Sequence, residues 1–205
     1  MLFRSNVEAS RLRVVPHGVR FRESATEARR ENVVLHVGAI QKRKNLVHLV
    51  EAFETACPPD WKLVLAGSDG FGAEEVKARI ETSPARERIV LTGWVDDAAV
   101  LGWYRRASIF AFPSLDEGFG IPVLEAMAQG VPVIASNRSS LPEVCGGAAL
   151  MVDALETESI AAALKRLTGD SALRAHLAQL GSARAGGFTW QRAASLTWDV
   201  YRELA

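Results

Sequence analysis

Short apolar runs alternate with amphipathic stretches along most of the chain, and the alternation predicts the order of its elements. NVVLHVG (32–38) is continuously apolar around His36, as suits a strand buried on both faces. A helical pattern follows over 46–57. WKLVLAG (61–67) then precedes a helix over 74–81, and RIVLTG (88–93) precedes one over 98–106. SIFAFPS (108–114) is the next strand. Pro122 suits a first helical turn, and the helix it opens ends at Gly130, before the strand VPVIAS (131–136). After AALMVD (148–153) the pattern is purely helical, in about three helices over 157–204 broken at Gly169-Asp170 and Gly186-Gly187. Buried strands alternating with helices predict an α/β fold: a doubly wound, Rossmann-like parallel sheet followed by C-terminal helices.

The last helix, WQRAASLTWDVYREL, brings Trp190, Ala194, Trp198 and Tyr201 near one face. Such a stripe is ordinarily core-facing. The sharper alternative is a helix that packs on a body outside this chain.

Composition narrows the class. With 205 residues, 48% of them hydrophobic, the chain can bury a substantial core. Lys plus Arg equals Asp plus Glu at 24 each, so no net field steers it to nucleic acid or an anionic membrane. The longest mainly apolar stretch, 121–135, is broken by Glu125 and Gln129 and falls short of the roughly 18 residues of a span. The N-terminus lacks the apolar region of a secretory signal. Cys57 and Cys145 show no metal spacing and read as buried thiols in a reducing cytosol. His17, His36, His48 and His176 share no metal spacing either, and His36 reads as a core histidine. These features predict a soluble cytoplasmic protein with no metal, no nucleic-acid partner and no transmembrane segment.

Two loops carry candidate chemistry. DEGFGIPVLE (116–125) sets Glu117 and Glu125 around Gly118 and Gly120, just past the strand ending near Pro113. In a doubly wound sheet that is the ligand-binding end. Glu125 could simply complement a helix dipole, but its neighbours Val123, Leu124, Ala126 and Met127 are apolar, so its carboxylate needs buried partners. Sugar hydroxyls fit, since a carboxylate accepts from two adjacent hydroxyls. In GAIQKRKNL (38–46), Lys42, Arg43 and Lys44 precede a helix that Asn45 can cap. Cations there oppose the helix dipole, so either the loop is merely solvated or it holds an anion. Hydroxyl-binding and anion-binding loops together suit a nucleotide sugar.

PSLDEGFGIPVLEAMAQGVPVIAS, with LTGWV, YRRASIFAFPS, LPEV and GGAALMVD in order, resembles the donor-binding half of retaining GT-B glycosyltransferases of family 4, including its E-x7-E signature. The resemblance runs from about Val14 to Leu204. It implies that Glu117 binds hydroxyls of the donor sugar, with backbone N–H groups of Gly118, Phe119 and Gly120 near the sugar and diphosphate. Glu125 would take the ribose, and Lys44 the diphosphate beside Gly38. Gly93, Trp94 and Val95 would meet the base, and Glu143 would brace a turn. Where many members carry arginine after the first-strand glycine, this chain has Ala39, and Arg43 is expected to supply the cation. The "RKN" turn leans toward mannose, carried by GDP or UDP.

The resemblance further implies same-face transfer of a hexose without cofactor or metal, in polysaccharide biosynthesis. The acceptor would be a glycan or lipid-linked sugar, with any contact to the inner membrane face made through another half of the protein. On this reading 1–20 is an edge leading from a missing acceptor-binding domain, and RLRVVPHGVR (11–20) is its strand and turn. Residues 21–185 are the nucleotide-sugar domain, 186–205 a helix that packs on the missing domain, and MLFRS has no evident role. Alone, the fragment would transfer little sugar. Two alternatives are a non-catalytic nucleotide-sugar module and a GT-B-type 2-epimerase. A dinucleotide-binding domain fits worst, because GAIQKRKN is not G-x-G-x-x-G.

Overall fold

The computed structural model describes residues 8–20 and 30–204, so MLFRS and 21–29 lie outside the described residues. Six strands among them, β1 (Glu31–Val37), β2 (Lys62–Ala66), β3 (Ile89–Gly93), β4 (Ala107–Phe112), β5 (Val133–Ser136) and β6 (Leu150–Val152), form a parallel sheet ordered β3-β2-β1-β4-β5-β6. Parallel neighbours need a crossover. These are α1 (Leu46–Ala56), α2 (Ala73–Glu81), α3 (Asp97–Arg106), α4 (Ile121–Ala128) and the short α5 (Leu141–Cys145). Then come α6 (Thr157–Gly169), α7 (Ser171–Gly186) and α8 (Trp190–Leu204), broken where the glycines predict.

The continuous apolar runs divide between two cores because successive strand residues point to opposite faces. Val33, Leu35 and Val37 of β1 join Phe110 and Phe112 of β4 and Val133 and Ala135 of β5, under Val123, Leu124 and Met127 of α4. Val34, Ile109 and Ile134 face the other way, with Leu49 and Phe53 of α1 and Ile160 and Leu164 of α6. Every residue of β4 is buried. At roughly 1.5–3 kcal/mol for each large side chain removed from water, β4 is a firm base for the loop that leaves it. β3 lies at the sheet edge, and its Val90 and Leu91 are partly exposed, unlike the central strands.

Two expectations are corrected. Residues 12–19 hold no strand: Val19 is buried in the first core and its N–H donates to Phe188 O (3.1 Å), so the segment packs against the α7–α8 junction and not along a sheet edge. The aromatic face of α8 is not core-facing: Trp190, Trp198 and Tyr201 are all exposed. The helix is held instead through the other end of the chain. The His17 ring lies 6.3 Å from that of Trp190, and the Arg13 guanidinium pairs with Glu203 (2.6 Å). Cys57 and Cys145 are buried free thiols, and burial pushes each up to about 12. No helix among the described residues is long and apolar enough to cross a membrane.

Candidate donor-binding cleft

β1 has β2 on one side and β4 on the other, so the chain reverses its direction of travel across the sheet between β1 and β4. The loops leaving their carboxyl ends flank a cleft at such a point. Here the loops are tied together: Leu115 N–H donates to Arg43 O (2.8 Å), and Arg43 Nη1 donates to Asp116 O (3.0 Å). The first loop also passes very close to the one after β2. A Cβ on Gly67 would stand 2.1 Å from Gly38 O, a separation no side chain tolerates.

At the meeting point the predicted acid and cations find each other. Lys44 Nζ donates to Glu117 Oε1 (2.6 Å), Arg43 Nη1 lies 3.0 Å from the same oxygen, and the ammonium sits over the Phe112 ring, 4.5 Å from its centroid. Lys44 and Glu117 are buried, whereas Arg43 is exposed. Burial lowers the Lys44 ammonium from its ordinary range, and the Glu117 carboxylate opposes that. The anion facing the basic loop is thus Glu117 itself. Ser140 fixes the glutamate's loop, its hydroxyl lying 3.0 Å from both Glu117 O and Phe119 O. Gly118 is open to added bulk; Gly120 precedes α4 at φ 102°, where a Cβ would meet Leu141 at 2.7 Å.

Asn45 does not cap α1. It adopts a left-handed conformation (φ 59°), and its side-chain amide donates to Ala154 O (2.6 Å), stapling the loop to the segment after β6. Glu125 is buried as its apolar neighbours imply, but its partners here are protein groups. Oε1 accepts from Arg20 Nε (2.7 Å), and the Tyr104 hydroxyl lies 3.1 Å from Oε2. Burial, then Glu125, raises Tyr104 well above its usual range, so it stays a neutral donor. Arg20 also pairs with Asp97 (2.8 Å), at the start of α3 and just beyond Gly93, Trp94 and Val95. Trp94 is 77% exposed, whereas Val95 packs against the first core. Glu143 is exposed on α5, and its carbonyl accepts from Arg184 (2.7 Å).

Sequence reasoning did not single out Arg20 or Tyr104. Their contacts with Glu125 span 105 and 21 positions, and no local pattern marks either one. His36 is buried as expected of a core histidine. Its Nδ1 meets Ala111 O (3.1 Å), while its Nε2 faces the Gly38–Lys44 loop without a partner.

Residues 20–184 match the family described as "Glycosyl transferases group 1". The chain belongs to that family. Among curated relatives, the O-antigen chain mannosyltransferase B of Escherichia coli is 33% identical over 178 residues, 85% of this chain and 46% of that protein. The chain spans less than half the length of this relative and about a fifth of that of the Escherichia coli serotype-specific mannosyltransferase WbdA. Of solved structures, sucrose-phosphate synthase from Thermosynechococcus elongatus superposes with a TM-score of 0.80 at 26% identity, over 94% of this chain and 52% of that one. The C-terminal domain of a group 1 glycosyl transferase from Francisella tularensis superposes with a TM-score of 0.70 at 26% identity, over 84% of this chain and 95% of that one. The group 1 fold carries the predicted Rossmann-like sheet, and the match covers both loops of the cleft.

Proposed function

We propose that this domain binds a nucleotide-diphosphate sugar in the cleft between the β1 and β4 loops and serves as the donor half of a retaining hexosyltransferase. One observation carries the reading: a buried carboxylate and two cations, Glu117, Lys44 and Arg43, sit in contact at the ligand-binding point of the sheet. On donor binding the cations turn from Glu117 to the diphosphate, and Glu117 accepts from hydroxyls of the sugar. Arg43 supplies the charge that Ala39 lacks. Gly118–Gly120 offer backbone N–H groups, Glu125 takes the ribose diol, and Gly93–Val95 border the base.

In the transfer itself, the bond between the anomeric carbon and the phosphate oxygen breaks. The acceptor oxygen bonds to the same face, and its proton passes to the departing phosphate. Lys44 and Arg43 stabilise the charge that develops there; one such contact is worth about 10²–10³ in rate. The name of the Escherichia coli relative favours mannose as the sugar. The acceptor, a glycan or a lipid-linked sugar, is held by a further domain, against which α8 rests its exposed aromatic face, and 186–205 is assigned to that contact. The whole enzyme acts in the cytoplasm or at the inner membrane face.

Calorimetric titration with GDP, UDP, ADP and dTDP, alongside Glu125→Ala and Lys44→Ala, tests this. Selective binding of one diphosphate, weakened by both substitutions, is expected. Binding that neither substitution alters would refute the assignment of the cleft.

A further inference from the structure

Resting on the reading of Glu125 as the ribose acid, we infer that Arg20 is a cover on that subsite, so that nucleotide binding must exchange the Arg20–Glu125 ion pair for hydrogen bonds from the ribose diol. The geometry carries the argument. The Glu125 side chain is 1% exposed, too little for any hydroxyl to reach it in this arrangement, whereas the Arg20 side chain above it is 46% exposed. Tyr104, the other group on the carboxylate, is fully buried in the core and cannot withdraw. Arg20 can. It lies in the stretch 12–20, which has no regular structure, and among the described residues its guanidinium is held on two different elements. Nε grips Glu125 on α4, and Nη1 grips Asp97 at the start of α3. Releasing Glu125 while keeping Asp97 is a pivot of one side chain, which leaves the guanidinium charge neutralised at the mouth of the site.

Arg20 therefore acts through Glu125, as a positioning residue that sets how much of the nucleotide's affinity comes from its ribose. In the free protein it satisfies a buried carboxylate that would otherwise be left with the tyrosine alone, a costly state for a charge. The same contact competes with the diol. Removing the guanidinium raises the free energy of the ligand-free state and leaves the ribose-bound state nearly untouched. A nucleotide lacking the hydroxyls never displaces Arg20, so its affinity is indifferent to the substitution.

The test is calorimetric titration of wild type, Arg20→Met and Arg20→Lys with GDP and UDP and with their 2′,3′-dideoxy counterparts. Arg20→Met is expected to bind a ribonucleotide about tenfold tighter than wild type, the scale of a hydrogen bond to a charged group. Its affinity for the dideoxy form should not change. Arg20→Lys, which keeps a cation over Glu125, should resemble wild type. If Arg20→Met fails to fold, Arg20→Gln is measured for the same direction of change. Ribonucleotide binding that is equal or weaker in the variant overturns the cover. If ribo- and dideoxy-nucleotides bind alike both in wild type and in Arg20→Met, or bind to neither, the ribose reading of Glu125 fails first and the cover falls with it.

Discussion

Lys44 is the residue on which the cleft turns, because it is buried, charged and held by one carboxylate. Breaking a buried pair by removing one partner costs about 3–5 kcal/mol, since the other charge is left uncompensated. Arg43 remains beside Glu117, so Lys44→Met is expected to cost less, about 1–3 kcal/mol in urea unfolding. Glu117→Gln leaves Lys44 buried with no carboxylate and should destabilise at least as much. His36 makes a second prediction. Burial lowers it from 6.5 to about 3, so it stays neutral in the fold when it would already be protonated in the unfolded chain. Stability from this residue is complete above pH 6.5 and drains away as pH falls toward 3. Between pH 7 and pH 5, wild type should lose about 2 kcal/mol more than His36→Phe, read from urea midpoints at the two pH values. The two glutamates and the basic turn were legible in the sequence, because each sits where an apolar pattern breaks. What Glu125 touches was not, since Arg20 lies 105 positions away in sequence and only the tertiary fold brings the two together.

At the scale of elements, most strands and helices follow the sequence to within a residue or two, because period-2 and helical patterns are local properties, although the strand expected in 11–20 is absent and the five-residue α5 reads only as a turn. The exceptions have non-local causes. RIVLTG reads as a buried strand but lies at an edge, and edge position is a fact about topology. Asn45 reads as a cap but spends its amide on Ala154, 109 positions away. The loops themselves depend on one close passage, where the backbone after β2 touches Gly38 O. Gly67→Ala would put a methyl group 2.1 Å from that oxygen, forcing the β1 loop outward. The expected loss is about 1–3 kcal/mol in thermal or urea unfolding. Nucleotide affinity should fall as well, because the displaced strand end carries the Lys44 loop. A variant as stable and as competent as wild type would show that the passage has slack that the geometry does not suggest.

At the scale of the whole molecule, the sheet buries both faces, and α8 stands apart with its aromatic side chains outward. Trp198 is 63% exposed, so Trp198→Ser should change the stability of this chain by no more than about 0.5 kcal/mol. A large loss would mean the helix is packed in solution against something it does not touch here. What does hold α8 is the opening segment, through His17 and Arg13, with Val19 tied to the junction just before it. Residue 13 and residue 203 are therefore spatial neighbours although the entire fold lies between them in sequence. A permuted gene that joins these ends by a short linker and opens the chain at the exposed Pro58-Pro59-Asp60 turn would keep every strand pairing and both loops of the cleft. The order in which the ribosome meets the elements is, for this domain, separable from the place they occupy.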